Sequence, residues 1–307
     1  MRVDISTSVS KLKLENPTIL ASGIMGISRA SLRYAARNGA GAVTIKSLTK
    51  EPRKGHPSPI VLTYEAGMLN AVGYANQGIE EAKKEFVNLK EIGVPVIASI
   101  TAKDKDEFAY MASQIAEMEG FSALELALSC PHTPGYGTMA GHMTPEATFA
   151  ITAAARDKIK LPLFVKLSPN VEAIGKIAKS AEDAGADAIT AVNTMGPGML
   201  VDIKTGKPMM GFKVGGISGA ALRPIAVRCV YDIYESVKIP IIGTGGVSSG
   251  RDAIEMIMAG ASAVGIGTAV YEQGIDVFKK VCNEMSDLMN ELGYKDIKHM
   301  LGMAHES

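Results

Sequence analysis

Eight short runs of Val, Ile, Leu and Ala, each followed by a helix-like segment, constrain this chain more than any other feature. The runs cover residues 18–22, 42–46, 94–100, 123–128, 163–167, 188–193, 240–243 and 263–267. They are nearly continuous in apolar residues instead of alternating, the pattern of parallel strands buried on both faces. Helices are predicted between them at about 29–38, 79–92, 104–119, 145–159, 171–184, 220–237, 250–259 and 275–292. Eight strands alternating with eight helices predict an α/β chain folded as a (β/α)8 TIM barrel. Periodicity alone leaves a doubly wound sheet as the runner-up. Three echoes support the repeat: Asn38-Gly-Ala-Gly-Ala-Val, Ala184-Gly-Ala-Asp-Ala-Ile and Ala259-Gly-Ala-Ser-Ala-Val each read as a helix stopped at Gly and followed by a strand. The first twenty residues, with Val3-Asp-Ile-Ser and Lys11-Leu-Lys-Leu around Ser8–Ser10, predict a hairpin that closes the barrel bottom.

The remaining composition narrows the class. With 307 residues the chain suits a single barrel domain over residues 1–307, because such barrels commonly exceed ~200 residues. Its 32 basic and 32 acidic residues cancel, which argues against nucleic-acid or membrane-surface partners. No apolar run approaches the ~20 residues that span a bilayer, and the start of the chain lacks the apolar stretch of a signal peptide. A soluble, cytoplasmic protein is expected. The three cysteines, Cys130, Cys229 and Cys282, are far apart and none sits in a CxxC pair, so neither a disulfide framework nor a metal or iron–sulfur site is expected. Cys229 and Cys282 fall in helix-like segments and read as small buried hydrophobes. The 17 methionines read as adaptable core filler.

Chemistry is concentrated at the strand ends. Connections 47–78, 129–144 and 194–219 are too long for plain turns, and all follow strands, so in a barrel they open on the C-terminal face. Cys130 leaves the fourth run in Ser129-Cys-Pro; Pro131 has no N–H to give to a sheet and turns the chain out. Lys46 and Lys166 stand in apolar strands, where a lysine is costly unless an anion or polar ligand accompanies it. One such lysine is as consistent with a structural ion pair as with a ligand; two on one rim, with Cys130, Asn193 and Thr194, favour a site. Gly243-Thr-Gly-Gly-Val-Ser-Ser-Gly and Gly265-Ile-Gly-Thr lie at the last two strand-to-helix junctions, where backbone amides hold phosphate in many barrels. Gly215-Gly-Ile-Ser-Gly219 is a third such approach. These residues predict a phosphate-bearing cofactor with Cys130 beside it as base or nucleophile. Residues 133–143 are a candidate lid that would keep water from the thiol.

Taken in order, Ala21-Ser-Gly, Lys46-Ser-Leu-Thr-Lys-Glu-Pro-Arg, Gly67-Met-Leu-Asn-Ala-Val-Gly73, Ser129-Cys-Pro, Val165-Lys-Leu-Ser-Pro-Asn170, Val192-Asn-Thr, Gly215-Gly-Ile-Ser-Gly and Gly243-Thr-Gly-Gly resemble the dihydroorotate dehydrogenases of class 1, type B. That flavin-barrel family is shared with the pyrimidine-reducing domain of dihydropyrimidine dehydrogenase. The resemblance covers nearly the whole chain. It implies FMN held by Ser22, Lys46, Ser47, Lys166, Val192, Gly219, Gly245, Gly246, Gly267 and Thr268. It implies a pyrimidine, dihydroorotate or orotate, contacted by Lys46, Asn70, Ala71, Val72, Gly73, Tyr74, His132, Asn193 and Thr194. Cys130 would take the C5 proton while C6 passes a hydride to flavin N5. The family also implies de novo pyrimidine biosynthesis, a homodimeric core, and a partner subunit carrying FAD and an iron–sulfur cluster. Ala127 and His132 replace two usual Asn residues, Ser99 a third, Tyr74 a usual Leu and Gln77 a usual Pro. Those departures keep two alternatives open: a related flavin oxidoreductase for another dihydropyrimidine-like cyclic amide, or a flavin-binding barrel with impaired catalysis.

Overall fold

In the computed structural model, residues 3–129, 135 and 141–306 are described. The chain opens with an antiparallel hairpin of Thr7–Val9 (β1) and Leu12–Leu14 (β2). The first barrel strand, Thr18–Leu20 (β3), leads to the helix Arg29–Arg37 (α1). Strand Ala42–Thr44 (β4) is followed by the hairpin Val61–Tyr64 (β5) and Gly67–Asn70 (β6), the helix Gly78–Glu85 (α2) and one 3-10 turn, Leu89–Ile92. Three regular units follow: Val96–Ile100 (β7) with Lys105–Ala116 (α3), Ala123–Ala127 (β8) with Pro145–Arg156 (α4), and Leu163–Leu167 (β9) with Ile174–Asp183 (α5). After Ala188–Ala191 (β10) the chain makes Met195–Gly198 (β11), the small hairpin Val201–Asp202 (β12) and Lys207–Pro208 (β13), and Gly215–Ser218 (β14). Helix Arg223–Ser236 (α6), strand Ile241–Thr244 (β15), helix Gly250–Met258 (α7) and strand Ala263–Ile266 (β16) complete the repeat, and Thr268–Gln273 (α8) and Val277–Leu292 (α9) follow.

Strands β3, β4, β7, β8, β9, β10, β15 and β16 pair in that order, all in parallel, and β16 pairs back on β3 to close the barrel. The (β/α)8 expectation therefore holds, and the doubly wound sheet is excluded. Local chemistry sets the helix limits. Ser28 and Ser31 form a reciprocal capping box on α1, Asp104 accepts from the amides of Asp106 and Glu107 at the start of α3, and Thr144 caps α4 with Pro145 following. The predicted stop glycines hold: Gly39, Gly185 and Gly260 take φ of 99°, 95° and 119°, a region open to Gly without steric cost. The helix predicted over 79–92 breaks after Glu85 because Asn88 turns left-handed, with φ 53°.

The barrel interior is stratified. Its lower layer takes one apolar side chain from every strand: Ile19, Ala42, Ile97, Ala123, Phe164, Ala188, Ile242 and Ala263. Val9, Leu12 and Leu14 of the N-terminal hairpin join this cluster and plug the bottom. Because inward positions recur every second residue, the next inward residues on six of the eight strands are Thr44, Ser99, Glu125, Lys166, Thr190 and Thr244, all buried and all polar; Ala21 and Gly265 take the other two places. At the opposite end, β11, β14, β6 and β5 form an antiparallel sheet built from two of the long connections. The ring of His56 stacks on Phe212 at 3.7 Å and ties the same two connections together.

Candidate active site at the barrel mouth

Above the polar layer the strand ends enclose a cavity of about 380 Å³, within the range of small-molecule sites. Inward positions place Lys46, Ala127, Lys166 and Val192 on its floor and walls. The turns after β15 and β16 bring Gly245, Gly246, Gly267 and Thr268 to one side, and Gly219 joins them from the end of β14. Ser22 and Ser47 complete the set, so every residue expected to hold FMN lines this cavity. Of the residues expected around a pyrimidine, Asn70, Val72, Gly73, Tyr74, Asn193 and Thr194 line it with Lys46. Ala71 does not line it: its methyl is fully buried against the hairpin sheet, clustered with Leu69 and Met210. Cys130 and His132 lie outside the described residues.

A hydrogen-bonded floor links these groups. Lys166, a residue only 4% exposed, donates from its ammonium to Ser22 Oγ at 3.1 Å. Ser22 Oγ donates onward to Glu125 Oε1 at 3.2 Å. Glu125 also accepts from Ser99 at 3.3 Å and from Thr190 at 2.9 Å. Ser99 and Ser47 share a 2.9 Å hydrogen bond. Glu125 was visible in the sequence as an acid inside an apolar run, but nothing there assigned it a role. Asn193 Nδ2 donates to Ser129 Oγ at 2.9 Å, joining the end of β10 to the residue that precedes Cys130. Thr101 donates to the carbonyl of Ala127 at 3.1 Å. Two sequence departures thus have defined settings: Ala127 puts a methyl on the cavity wall, and Ser99 serves the floor network.

The other thiols stand apart from this chemistry. Burial pushes Cys229 and Cys282 up to about 11, which keeps them as unreactive thiols at neutral pH, and neither lines the cavity. Among the described residues no group of three His, Cys, Asp or Glu side chains is placed to hold a metal ion, and no helix is long and apolar enough to cross a membrane.

The lining fits a flat, phosphate-bearing cofactor. Gly246 has φ 79°, and a Cβ there would stand 2.6 Å from Arg223 Cβ and 2.8 Å from Gly219 O, so the turn admits only glycine and exposes its backbone. Ser218 and Thr268 present paired hydroxyls 2.8 Å apart beside it. Thr244 Oγ1 is buried in the wall with no hydrogen-bond partner among the described residues, a polar atom awaiting one.

Comparison with known proteins agrees with this geometry. The family model described as dihydroorotate dehydrogenase matches residues 4–289. The catalytic subunit of dihydroorotate dehydrogenase B (NAD(+)) from Methanothermobacter thermautotrophicus is 44% identical over 303 residues, covering 98% of this chain and 99% of that protein. Its counterpart from Methanosarcina mazei is 45% identical over 301 residues, covering 97% and 95%. The crystal structure of DHODH in complex with ferulenol from Eimeria tenella superposes with a TM-score of 0.85 at 22% identity, over 99% of this chain and 89% of that one, a likeness of fold. A closed barrel, a cavity floored by two lysines and walled by glycine turns, and these relatives agree: the chain belongs to the dihydroorotate dehydrogenase family.

Proposed function

We propose that the whole chain acts as one FMN-binding barrel domain that oxidises dihydroorotate to orotate in pyrimidine biosynthesis. The observation that carries this reading is the convergence of Lys46, Lys166, Asn70, Asn193 and the glycine turns on one cavity, in a chain of this family. Gly219, Gly245, Gly246, Gly267 and Thr268 would hold the cofactor phosphate, and Ser22, Ser47, Lys46, Lys166 and Val192 its ring. FMN, when bound, supplies the acceptor for the hydride leaving C6 of the substrate. The lysine ammonium groups offer positive charge where negative charge accumulates. Asn70, Asn193 and Thr194 match the amide edges of a pyrimidine. Asn70 Nδ2 is oriented by the carbonyl of Gly216 at 3.3 Å, and Asn193 Oδ1 by the amide of Thr194 at 2.8 Å. By the family resemblance, Cys130 would take the C5 proton and His132 would contact the substrate.

A second reading is favoured by one observation: the cavity wall carries the Ala127 methyl where an amide is usual. A buried polar ligand that loses one hydrogen bond is disfavoured by about 1–3 kcal/mol. That loss would favour a dihydropyrimidine-like cyclic amide with fewer polar groups. One anaerobic titration separates the two. The purified protein should be yellow, and dihydroorotate should bleach it. Bleaching by dihydrouracil or dihydrothymine but not by dihydroorotate transfers the assignment to the second reading. Cys130→Ser should slow flavin reduction by about 10²–10⁴-fold; an unchanged rate removes Cys130 from the role of base. The relatives named above are catalytic subunits. By that likeness we infer a partner subunit, testable by co-purification; the family resemblance further implies that it carries FAD and an iron–sulfur cluster, and that the barrel forms a homodimeric core in the cytoplasm.

A further inference from the structure

We propose that Glu125 is a positioning residue: through Ser22 it fixes the Lys166 ammonium under the cofactor, and its own charge lowers the reduction potential of bound FMN. The inference rests on the FMN reading above.

Glu125 sits at an inward position of β8 and is 4% exposed. Its carboxylate gathers hydroxyl donors from three other strands or strand ends: Ser22 after β3, Ser99 on β7 and Thr190 on β10. A carboxylate is an acceptor-only group, and three O–H donors match it. Ser22 has a single hydroxyl proton. It gives that proton to Glu125, so its lone pair faces Lys166 Nζ and takes the ammonium at 3.1 Å. The direction of the whole relay is therefore set by the carboxylate end. Removing Glu125's charge frees Ser22 to rotate and releases the ammonium from its fixed direction.

The second effect is electrostatic. In a water-poor interior, charges act over longer distances than in solvent. Reduction of a flavin adds electrons to the ring. The Lys166 cation favours that change, and a carboxylate one hydroxyl further below opposes it. A purely structural Glu125, acting only as a bracket between strands, would hold the barrel together and leave the potential alone. The two roles differ in a measurable way.

The test is the midpoint potential of bound FMN in the full chain at pH 7, followed by absorbance during anaerobic reductive titration against a reference dye. Glu125→Gln keeps the length and an acceptor oxygen but removes the charge. The expected result is a positive shift of about 30 mV or more, a tenfold change in a two-electron equilibrium, because loss of the carboxylate charge outweighs the loosened direction of the Lys166 ammonium, which keeps its own charge. Thr190→Val removes one of the three donors and leaves the charge. It should lower thermal stability while moving the potential far less. A Glu125→Gln shift that is negative, or no larger than that of Thr190→Val, overturns the proposal. Glu125→Met, which also removes the charge, is read on the same scale where the glutamine variant does not fold. If both fail to fold while Thr190→Val folds, Glu125 is a structural bracket and the proposal is rejected. A wild-type protein that does not retain FMN defeats the cofactor reading itself, a distinct outcome.

Discussion

The two ends of the barrel are made by the same eight strands, yet they differ within two residues of each other. At the bottom, Ile97, Ala123, Phe164 and Ala188 close on the hairpin residues Val9, Leu12 and Leu14 in an apolar plug. Two positions further along the same strands stand Ser99, Glu125, Lys166 and Thr190, joined by hydrogen bonds. Apolar burial stabilises in proportion to area and does not depend on direction. A polar network stabilises little in net terms but fixes orientation. Stability and chemistry are therefore separated along the barrel axis.

The largest expected effect tests the lower end. Phe164→Ala removes one of the largest fully buried side chains from the plug and should cost about 3–5 kcal/mol in denaturant unfolding. The folded fraction should still bind FMN with unchanged affinity. Loss of cofactor affinity in step with stability would break the separation.

Next in size is a change at the upper end. Lys166→Met keeps the stem and deletes the ammonium that Ser22 receives. Losing a charge-assisted hydrogen bond to the cofactor should weaken FMN binding by about ten- to a hundredfold, from ~1.5–3 kcal/mol. Unfolding free energy should fall by less than for Phe164→Ala, since Lys166 reaches Glu125 only through Ser22 and the carboxylate keeps its three hydroxyl donors. Equilibrium dialysis and a denaturant melt on one preparation check both halves. A stability loss as large as that of Phe164→Ala would show that the floor network also carries the fold.

Outside the barrel lumen the effect should be smaller. Asp104 caps α3 by accepting from the amides of Asp106 at 3.1 Å and Glu107 at 2.9 Å. Asp104→Ala should cost about 1 kcal/mol, read from the shift in urea midpoint, with no change in cofactor affinity.

The strands and helices of the repeat were legible because each run is apolar save for a few inward polar residues and helices are punctuated, as at Gly39, Gly185 and Gly260. The sheet over the mouth was not. Gly67-Met-Leu-Asn is too short and Gly215-Gly-Ile-Ser too rich in glycine for a strand pattern, and they pair with each other from distant parts of the chain. Helix α8 was equally hidden, because its six residues are too few to show a period. The cavity residues could be placed in advance since strand ends of a barrel share one rim. Ala71 shows the limit of that reasoning: its neighbours Asn70 and Val72 reach the cavity, while its own methyl points into the cluster of Leu69 and Met210. The linkage of Lys166 to Glu125 through Ser22 spans three strands and has no sequence signature at all.

The smallest expected effect concerns His142, which lies near the end of the candidate lid segment 133–143. Its Nε2 lies 2.8 Å from the carbonyl of Lys103, which can only accept, so Nε2 carries the proton. Nδ1 is buried with no partner among the described residues. Burial holds this imidazole below the ordinary histidine range, against the opposing pull of the Lys103 carbonyl and Asp104. Protonation would place a charged N–H where no acceptor faces it. The unfolded chain takes up that proton near pH ~6.5, before the folded chain does. The neutral form's stabilising contribution is therefore complete above that pH and is lost as pH falls from there towards the depressed folded value. His142→Gln keeps a donor for the Lys103 carbonyl and cannot titrate. Its unfolding free energy should be flatter than that of the wild type as pH falls below ~6.5. Identical slopes for the two proteins would remove His142 as the source of that dependence.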